Sequence, residues 1–450
     1  MRTEHDSREI LDRALEAAHA HEADAVFIAT DQNISRFANS SVHQNMSEES
    51  AGLTLRVIVD GRMGVASTSS FDAAEIATTA ALAHEAARHA DPLTNFSGLY
   101  HDHEEPLDLR TFDEATATVT PMEKALALRA MFDRGRGQNV EFAGSFATAA
   151  TSVATANTHG VRRFARMTMS EASVIALHGG GSGFATDCSR HIRDIDIAAL
   201  GEQATTRALL SGDRLEQIEP GPYDVILEPS AMGEVLDWLN MIAFTGQAYE
   251  DGSSFLVGNV GRRILGQNIT IADDATDEQF LPFPFDAEGL PKRRVALVEG
   301  GIIRTPVVDK VYADRLSLPP TANGWDLGSP DHGTALHLAI AGGDATREEL
   351  IASTKRGILV TRFNYVNGLL EPRTALMTGT TRDGTFLIRD GKVAARLPNL
   401  RWTQSITEAL SNVEALTRER RRIGTWHNSF GGSLVPIMKI RGWKFDGAAS

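Results

Sequence analysis

L-S-G-D-R-L-E-Q-I-E-P-G-P-Y-D, residues 210 to 224, is polar, charged and interrupted by Gly212, Pro220, Gly221 and Pro222. Such a composition connects packed units and does not form an element of its own. It predicts two domains, residues 1–215 and 220–450. The patterns on its two sides differ, and that difference suggests the fold class.

Upstream, helices alternate with strands. Ile10, Leu11, Ala14, Leu15 and Ala18 share one face of a helix over 7–20. A-D-A-V-F-I-A-T (23–30) reads as a buried strand, and 53–68 as a hairpin turning at Asp60-Gly61. Helices are expected over 71–90, 121–133 and 193–210. Strands rich in Val, Thr, Ala and Phe fill 139–176, with a turn at Asn157-Thr158-His159-Gly160.

Downstream, V-I-L-E-P-S is a strand leading into a helix. Ser230 is its expected N-cap, and its apolar positions are Met232, Val235, Leu236, Leu239 and Ile242. Hairpins follow at 294–309, around Gly300-Gly301, and at 385–397, around Asp390-Gly391. The capping box S-I-T-E, Ser405 to Glu408, opens a late helix with the stripe Ile406, Leu410, Val413 and Leu416. The pattern is α+β: a mixed α/β first domain and a mainly antiparallel-β second domain.

The 450 residues are 42% hydrophobic and 23% charged, as in soluble globular proteins. A net charge of -15 argues against a phosphate-binding surface spread over the protein, so no nucleic-acid partner is expected. Cys188 is the only cysteine, so no internal disulfide forms, which fits a reducing cytosol. No apolar run approaches the roughly 20 residues of a membrane span. The polar N-terminus does not read as a signal peptide. A cytoplasmic location, away from membranes, is the expectation.

Several stretches imitate catalytic sites. H-E-A-A-R-H (84–89) places His84 and His89 five residues apart, roughly 140° around a helix, whereas a spacing of four gives roughly 40°. Ile76, Ala80, Ala83 and Ala87 form the buried stripe, and Glu85 points the other way. His84, Glu85 and His89 therefore read as a solvated helix flank, a decoy. H-D-H-E-E (101–105) reads as an acidic loop, and D-H-G-T-A-L-H (331–337) as loop and core histidines. H-G-G-G-S-G-F-A (178–185) lacks the Lys-Ser/Thr ending of a phosphate loop and reads as a bend between strands. Cys188 has no evident base partner and reads as an inert thiol.

R-F-N-Y-V-N (362–367) and E-P-R-T-A-L-M-T-G-T-T-R-D-G-T (371–385) set polar and cationic groups into strand-like sequence. Arg362, Asn364, Asn367, Arg373, Thr378 and Arg382 are the candidate lining of a groove that holds an extended peptide by its backbone. An ordinary solvent-facing sheet would read the same way.

Six segments in order resemble one family. They are 36–45, Y-D-V-I-L-E-P-S-A (223–231), G-S-S-F-L (252–256), 297–309, 350–367 and T-R-D-G-T-F-L-I-R-D-G-K-V (381–393). Together they resemble the TldD/PmbA (TldE) family, once called modulators of DNA gyrase, over nearly the whole chain. The resemblance implies an N-terminal α/β domain, a barrel-like β C-terminal domain, and a cytoplasmic peptidase that trims unfolded peptides as a dimer. It implies that the active subunit carries H-E-x-x-x-H early in the C-terminal domain, with a cysteine near the C-terminus completing a zinc site. The corresponding helix here, P-S-A-M-G-E-V-L-D-W-L-N-M-I (229–242), has no histidine, and the corresponding late region, 399–414, has no cysteine. Glu234 and Asp237, that helix's only acids, are three apart and could hold a hard cation, but read as its solvated edge.

The chain thus most resembles the metal-free TldE-type subunit. No cofactor is expected in it; zinc is expected in a TldD-like partner, where a zinc-activated water and the partner's glutamate would hydrolyse the peptide. A homodimer with non-proteolytic chemistry in the same groove, lined by Arg362, Asn364, Arg373 and Glu234, is one alternative. A peptide-binding protein without catalysis is another.

Overall fold

The computed structural model describes residues 2–211, 215–328, 332–424 and 431–449. Residues 212–214 of the expected linker and Asp331 of the third histidine motif lie outside the described residues.

The first half contains α1 (Glu4–Ala18), β1 (Glu22–Ala38), β2 (Ser41–Val59), β3 (Arg62–Thr68), α2 (Ala73–His89), α3 (Glu114–Thr118), α4 (Pro121–Gly137), β4 (Glu141–Asn157), β5 (Arg162–His178), β6 (Gly181–Ser189) and α5 (Ile197–Ser211). Among the described residues its strands form one antiparallel sheet in the order β3-β2-β1-β4-β5-β6. Helix α2 starts at an Asp72 cap and buries Ile76, Ala80, Ala83 and Ala87. Its approach to β3 needs a glycine: a Cβ on Gly64 would lie 2.0 Å from the Ala83 carbonyl oxygen. At the far edge, α5 packs on β6.

The second half contains β7 (Gly221–Leu227), α6 (Pro229–Leu239), α7 (Gly246–Glu250), β8 (Ile271–Asp273), β9 (Val295–Glu299), β10 (Ile302–Ile303), α8 (Lys310–Leu316), β11 (His337–Ile340), α9 (Arg347–Ala352), β12 (Arg356–Glu371), β13 (Leu376–Arg389), β14 (Lys392–Arg396), β15 (Leu400–Ser405), α10 (Ile406–Ser411), β16 (Val413–Gly424) and β17 (Gly432–Ala448). The strands join one sheet that closes on itself: β17-β15-β13-β12-β7, with β7 pairing back onto β17. Among the described residues two strand pairings are parallel, β7 with β12 and β11 with β17, and the other strand pairings are antiparallel. Phe363, Trp402 and Trp443 pack inside the ring, with centroids 4.7, 5.5 and 5.1 Å apart.

Two local expectations are corrected. Ser230 is not the N-cap of α6; Glu228 is, with Pro229 in the first turn. Proline has no N–H to satisfy and its φ suits that position, so the helix starts two residues earlier. The stripe Ile406, Leu410, Val413 and Leu416 is not one helix, because α10 ends at Ser411. Ser411 Oγ and Asn412 Nδ2 both donate to the Glu408 carbonyl, at 2.7 and 3.0 Å, and divert it from the helical ladder. Val413 and Leu416 then pair with β17 instead.

Candidate functional site

Helix α6 occupies the position at which the resemblance expects metal ligands. Met232, Val235, Leu236 and Leu239 bury one face in the second core. Its N-cap Glu228 makes no capping bond, because its carboxylate is taken by Arg207 and by Arg347 Nε at 2.9 Å. After Leu239 the helix widens into a π turn over Asn240–Phe244, and the Asn240 amide pairs with the Ala335 backbone at 2.7 and 3.1 Å. Single π turns inside helices recur at functional sites.

The expectation that Glu234 and Asp237 form a solvated edge is corrected for Asp237, which is only 6% exposed, while Glu234 is half-buried. Burial raises the Glu234 carboxyl, against an opposing hydrogen bond from the Val366 N–H (3.4 Å) and the charge of Arg362. Burial raises Asp237 well above the usual carboxylate range, and the Glu234 charge adds to it. Two acids biased towards their neutral forms can donate protons or hydrogen bonds. They are poor zinc ligands, since a ligand must be deprotonated and a zinc site takes three or more protein donors. Among the described residues no group of three or more His, Cys, Asp or Glu is placed to hold a metal ion. The residues of α6 therefore do not fit zinc.

The proposed groove residues occupy β12, β13 and the corner between them. The register sets Arg362 opposite Arg382, Asn364 opposite Thr380, and Asn367 opposite Thr378. Cross-strand partners share a face, so these side chains line one side of the sheet. Arg362 pairs with Asp383 and stacks on Phe184 of β6 at 4.2 Å, which makes it part of the contact between the two sheets. Thr378 Oγ1 donates to the Trp402 carbonyl at 2.8 Å, and Asn367 Oδ1 accepts from the Leu369 N–H at 2.9 Å. Arg382 is exposed. Arg373 sits apart, exposed on the 3-10 turn Pro372–Thr374.

The histidine stretches lie elsewhere. His84 Nε2 is 2.5 Å from the Ala18 carbonyl, and His89 Nε2 is 3.0 Å from Glu85 Oε1 on the exposed flank of α2. Residues 101–105 form an exposed segment without regular structure. His332 pairs with Asp309 (2.9 Å) and stacks on Tyr312 (4.1 Å). His337 is buried edge-on to Phe280, and burial drives its pKa down to about 3. Gly179 and Gly180 make the β5–β6 turn, both at positive φ. Cys188 is fully buried in β6, and burial raises its thiol well above its ordinary value.

Two features went unread in the sequence. One is the fully buried cluster Asp24, Arg56 and Glu288, which joins the two halves. The other is the arginine-rich strand β16. Both meet the opposite half: Arg422 of β16 lies 3.3 Å from Asp187 of β6. Ser182 of β6 likewise donates to Asp383 of β13 at 2.7 Å. The run T-R-E-R-R-R (417–422) was visible as a charge block; the buried cluster had no sequence signal.

Comparison with known proteins gives three family-model matches: PmbA/TldA metallopeptidase domain 1 over residues 23–87, the central domain over 105–211 and the C-terminal domain over 220–447. The chain is 24% identical over 246 residues to a metalloprotease of Methanothermobacter thermautotrophicus, covering 54% of this chain and 52% of that protein. It is 26% identical over 263 residues to a metalloprotease of Methanocaldococcus jannaschii, covering 57% and 55%. The chain thus spans about half the length of these relatives. In fold it matches the crystal structure of TldE from Thermococcus kodakarensis, with a TM-score of 0.86, 19% identity and coverage of 98% and 99%. No described helix is long and apolar enough to cross a membrane. With models for all three domains matched in order, the chain belongs to the PmbA/TldD metallopeptidase family.

Proposed function

We propose that this chain is the non-metal-binding subunit of a TldD/TldE-type metallopeptidase complex that cleaves unfolded peptides or modified-peptide precursors, and that its own part is to shape the peptide groove. The observation that carries the reading is the make-up of α6. It has no histidine, and its two acids are biased towards the neutral form by burial. The fold likeness to a TldE agrees with it. The polar face of β12 and β13, from Arg362 to Arg382, supplies polar side chains for an extended peptide. The partner is a TldD-like homologue that holds the zinc.

Co-purification tests this directly. Expressed with a homologue carrying H-E-x-x-x-H, the chain is expected to form a complex whose zinc content tracks the homologue. Stoichiometric zinc in this chain purified alone would contradict the reading.

A second reading, a self-sufficient homodimer with non-proteolytic chemistry, is favoured by the same acids. Burial raises both carboxyls, and a raised carboxyl is better placed to act as a general acid. Turnover of a peptide-like or small substrate by the chain alone, abolished by Glu234→Gln, would select it.

A further inference from the structure

Strand β16 carries Arg418, Arg420, Arg421 and Arg422 within five residues, in a chain of net charge -15. Two clefts open beside it. One, of about 440 Å³, is lined by all four of these arginines together with Asp187 and Gln279. The other, of about 460 Å³, includes Arg207, Arg347 and Thr346. Arg418, Glu419 and Arg421 line both, so the clefts share a wall.

The charges along this wall are unequally matched. Arg422 faces Asp187 (3.3 Å) and Asp194 (3.7 Å), and Arg420 faces Asp277 (3.5 Å). Arg207 and Arg347 are committed to Glu228. Among the described residues Arg421 reaches only Glu419, at 3.9 Å, and both side chains are exposed. Among the described residues the Arg418 side chain makes one hydrogen bond, to the Asp344 carbonyl at 3.3 Å, and no ion pair within 4.0 Å. The shared wall therefore presents two guanidiniums with most of their donors uncommitted. A guanidinium fork matches a carboxylate in a bidentate pair.

The backbone adds a second requirement. One edge of β16 pairs with β17. The other edge bonds the segment 343–345 only through residues 416–418. Arg420 to Gly424 have no second strand partner among the described residues. A peptide can use such an edge through its main chain, whereas a nucleic acid has no complementary backbone. Clefts of this size hold a few side chains of a short segment, and the acidic remainder of the protein disfavours a long polyanion.

The geometry points to the β16 trough as a carboxylate-binding site that takes the acidic side chains of an extended peptide. The ligand class rests on the peptide-binding reading above; the charge argument does not. The site gives the chain a selective role, a preference for Glu- or Asp-bearing segments.

Fluorescence anisotropy on the full chain tests it, with labelled short peptides alternating Ala with Glu, Gln or Lys, and a single-stranded oligonucleotide of similar length. The Glu peptide is expected to bind at least about tenfold tighter than the Gln peptide, the scale of one or two charge-assisted hydrogen bonds. Arg418→Glu/Arg421→Glu, both exposed positions, should erase that preference, and Arg418→Gln/Arg421→Gln should weaken it. Arg129→Glu on α4, also exposed, should leave it intact. Equal binding of the Glu and Gln peptides, an unchanged double variant, or tighter binding of the oligonucleotide would overturn the inference. A chain that activates a zinc-bearing partner yet fails this assay loses only the charge preference. A chain that passes it without activating any partner loses only the subunit reading.

Discussion

Arg56 of β2 and Glu288 of the second half, 232 residues apart in sequence, meet at 2.8 Å with both side chains 2% exposed. The same guanidinium holds Asp24 through Nε at 2.8 Å and Nη2 at 2.5 Å. Arg56 is therefore a buried tie between the first sheet and the second half. Removing one partner of such a cluster strands the others without counter-charge, at a cost of about 3–5 kcal/mol. Arg56→Ala is expected to lose that much in chemical denaturation; a loss below about 1 kcal/mol would show that the tie is dispensable.

The same cluster makes stability depend on pH. Burial raises Glu288 to about 8, opposed by Arg56 and reinforced by Asp309, Asp286 and Asp24. Its carboxyl is thus more easily deprotonated in the unfolded chain than in the fold. A raised pKa contributes stability at low pH that is lost as pH climbs from the ordinary carboxylate range through the folded value. Melting temperature should fall between pH 6 and pH 9, and the fall should be shallower in Glu288→Gln. An equal slope in both proteins would remove Glu288 as the cause.

Asp237 follows the same sign rule at α6. Its folded pKa lies above the unfolded one, so deprotonation opposes folding as pH rises. Asp237→Asn is expected to stabilise the protein at alkaline pH and to leave it little changed at pH 4, as read by thermal melts. Destabilisation by Asn at alkaline pH would mean that the charged carboxylate has a structural partner.

The decoy on α2 separates packing from chemistry. Gly64→Ala, whose Cβ would lie 2.0 Å from the Ala83 oxygen, should cost about 1–3 kcal/mol by forcing the helix off its strand. His89→Ala, on the exposed flank, should stay within about 0.5 kcal/mol of the parent. A measurable change in zinc content with His89→Ala would instead make the stretch a metal site.

Much of this was legible. The alanine stripe of α2, the hairpins at Asp60-Gly61 and Asp390-Gly391, and the change of pattern across 210–224 follow from local periodicity and turn chemistry. The failures were of two kinds. Ser230 and the α10 stripe misled because neighbours competed: Pro229 took the first turn, and Ser411 and Asn412 took the Glu408 carbonyl. Asp237 misled, and Arg56 went unread, because burial is a tertiary property. Nothing within a few residues of Asp237 says that its side of α6 is covered, and nothing near Arg56 points to Glu288. Arg362 read correctly as a strand residue, but its stacking on Phe184 depends on a strand almost 180 residues earlier.

The most direct measurement is peptidase activity of the purified chain, alone and mixed with a TldD-type homologue from the same source. The subunit reading predicts no cleavage alone and cleavage in the mixture above that of the homologue by itself. Cleavage by this chain alone, with stoichiometric zinc bound, would contradict it.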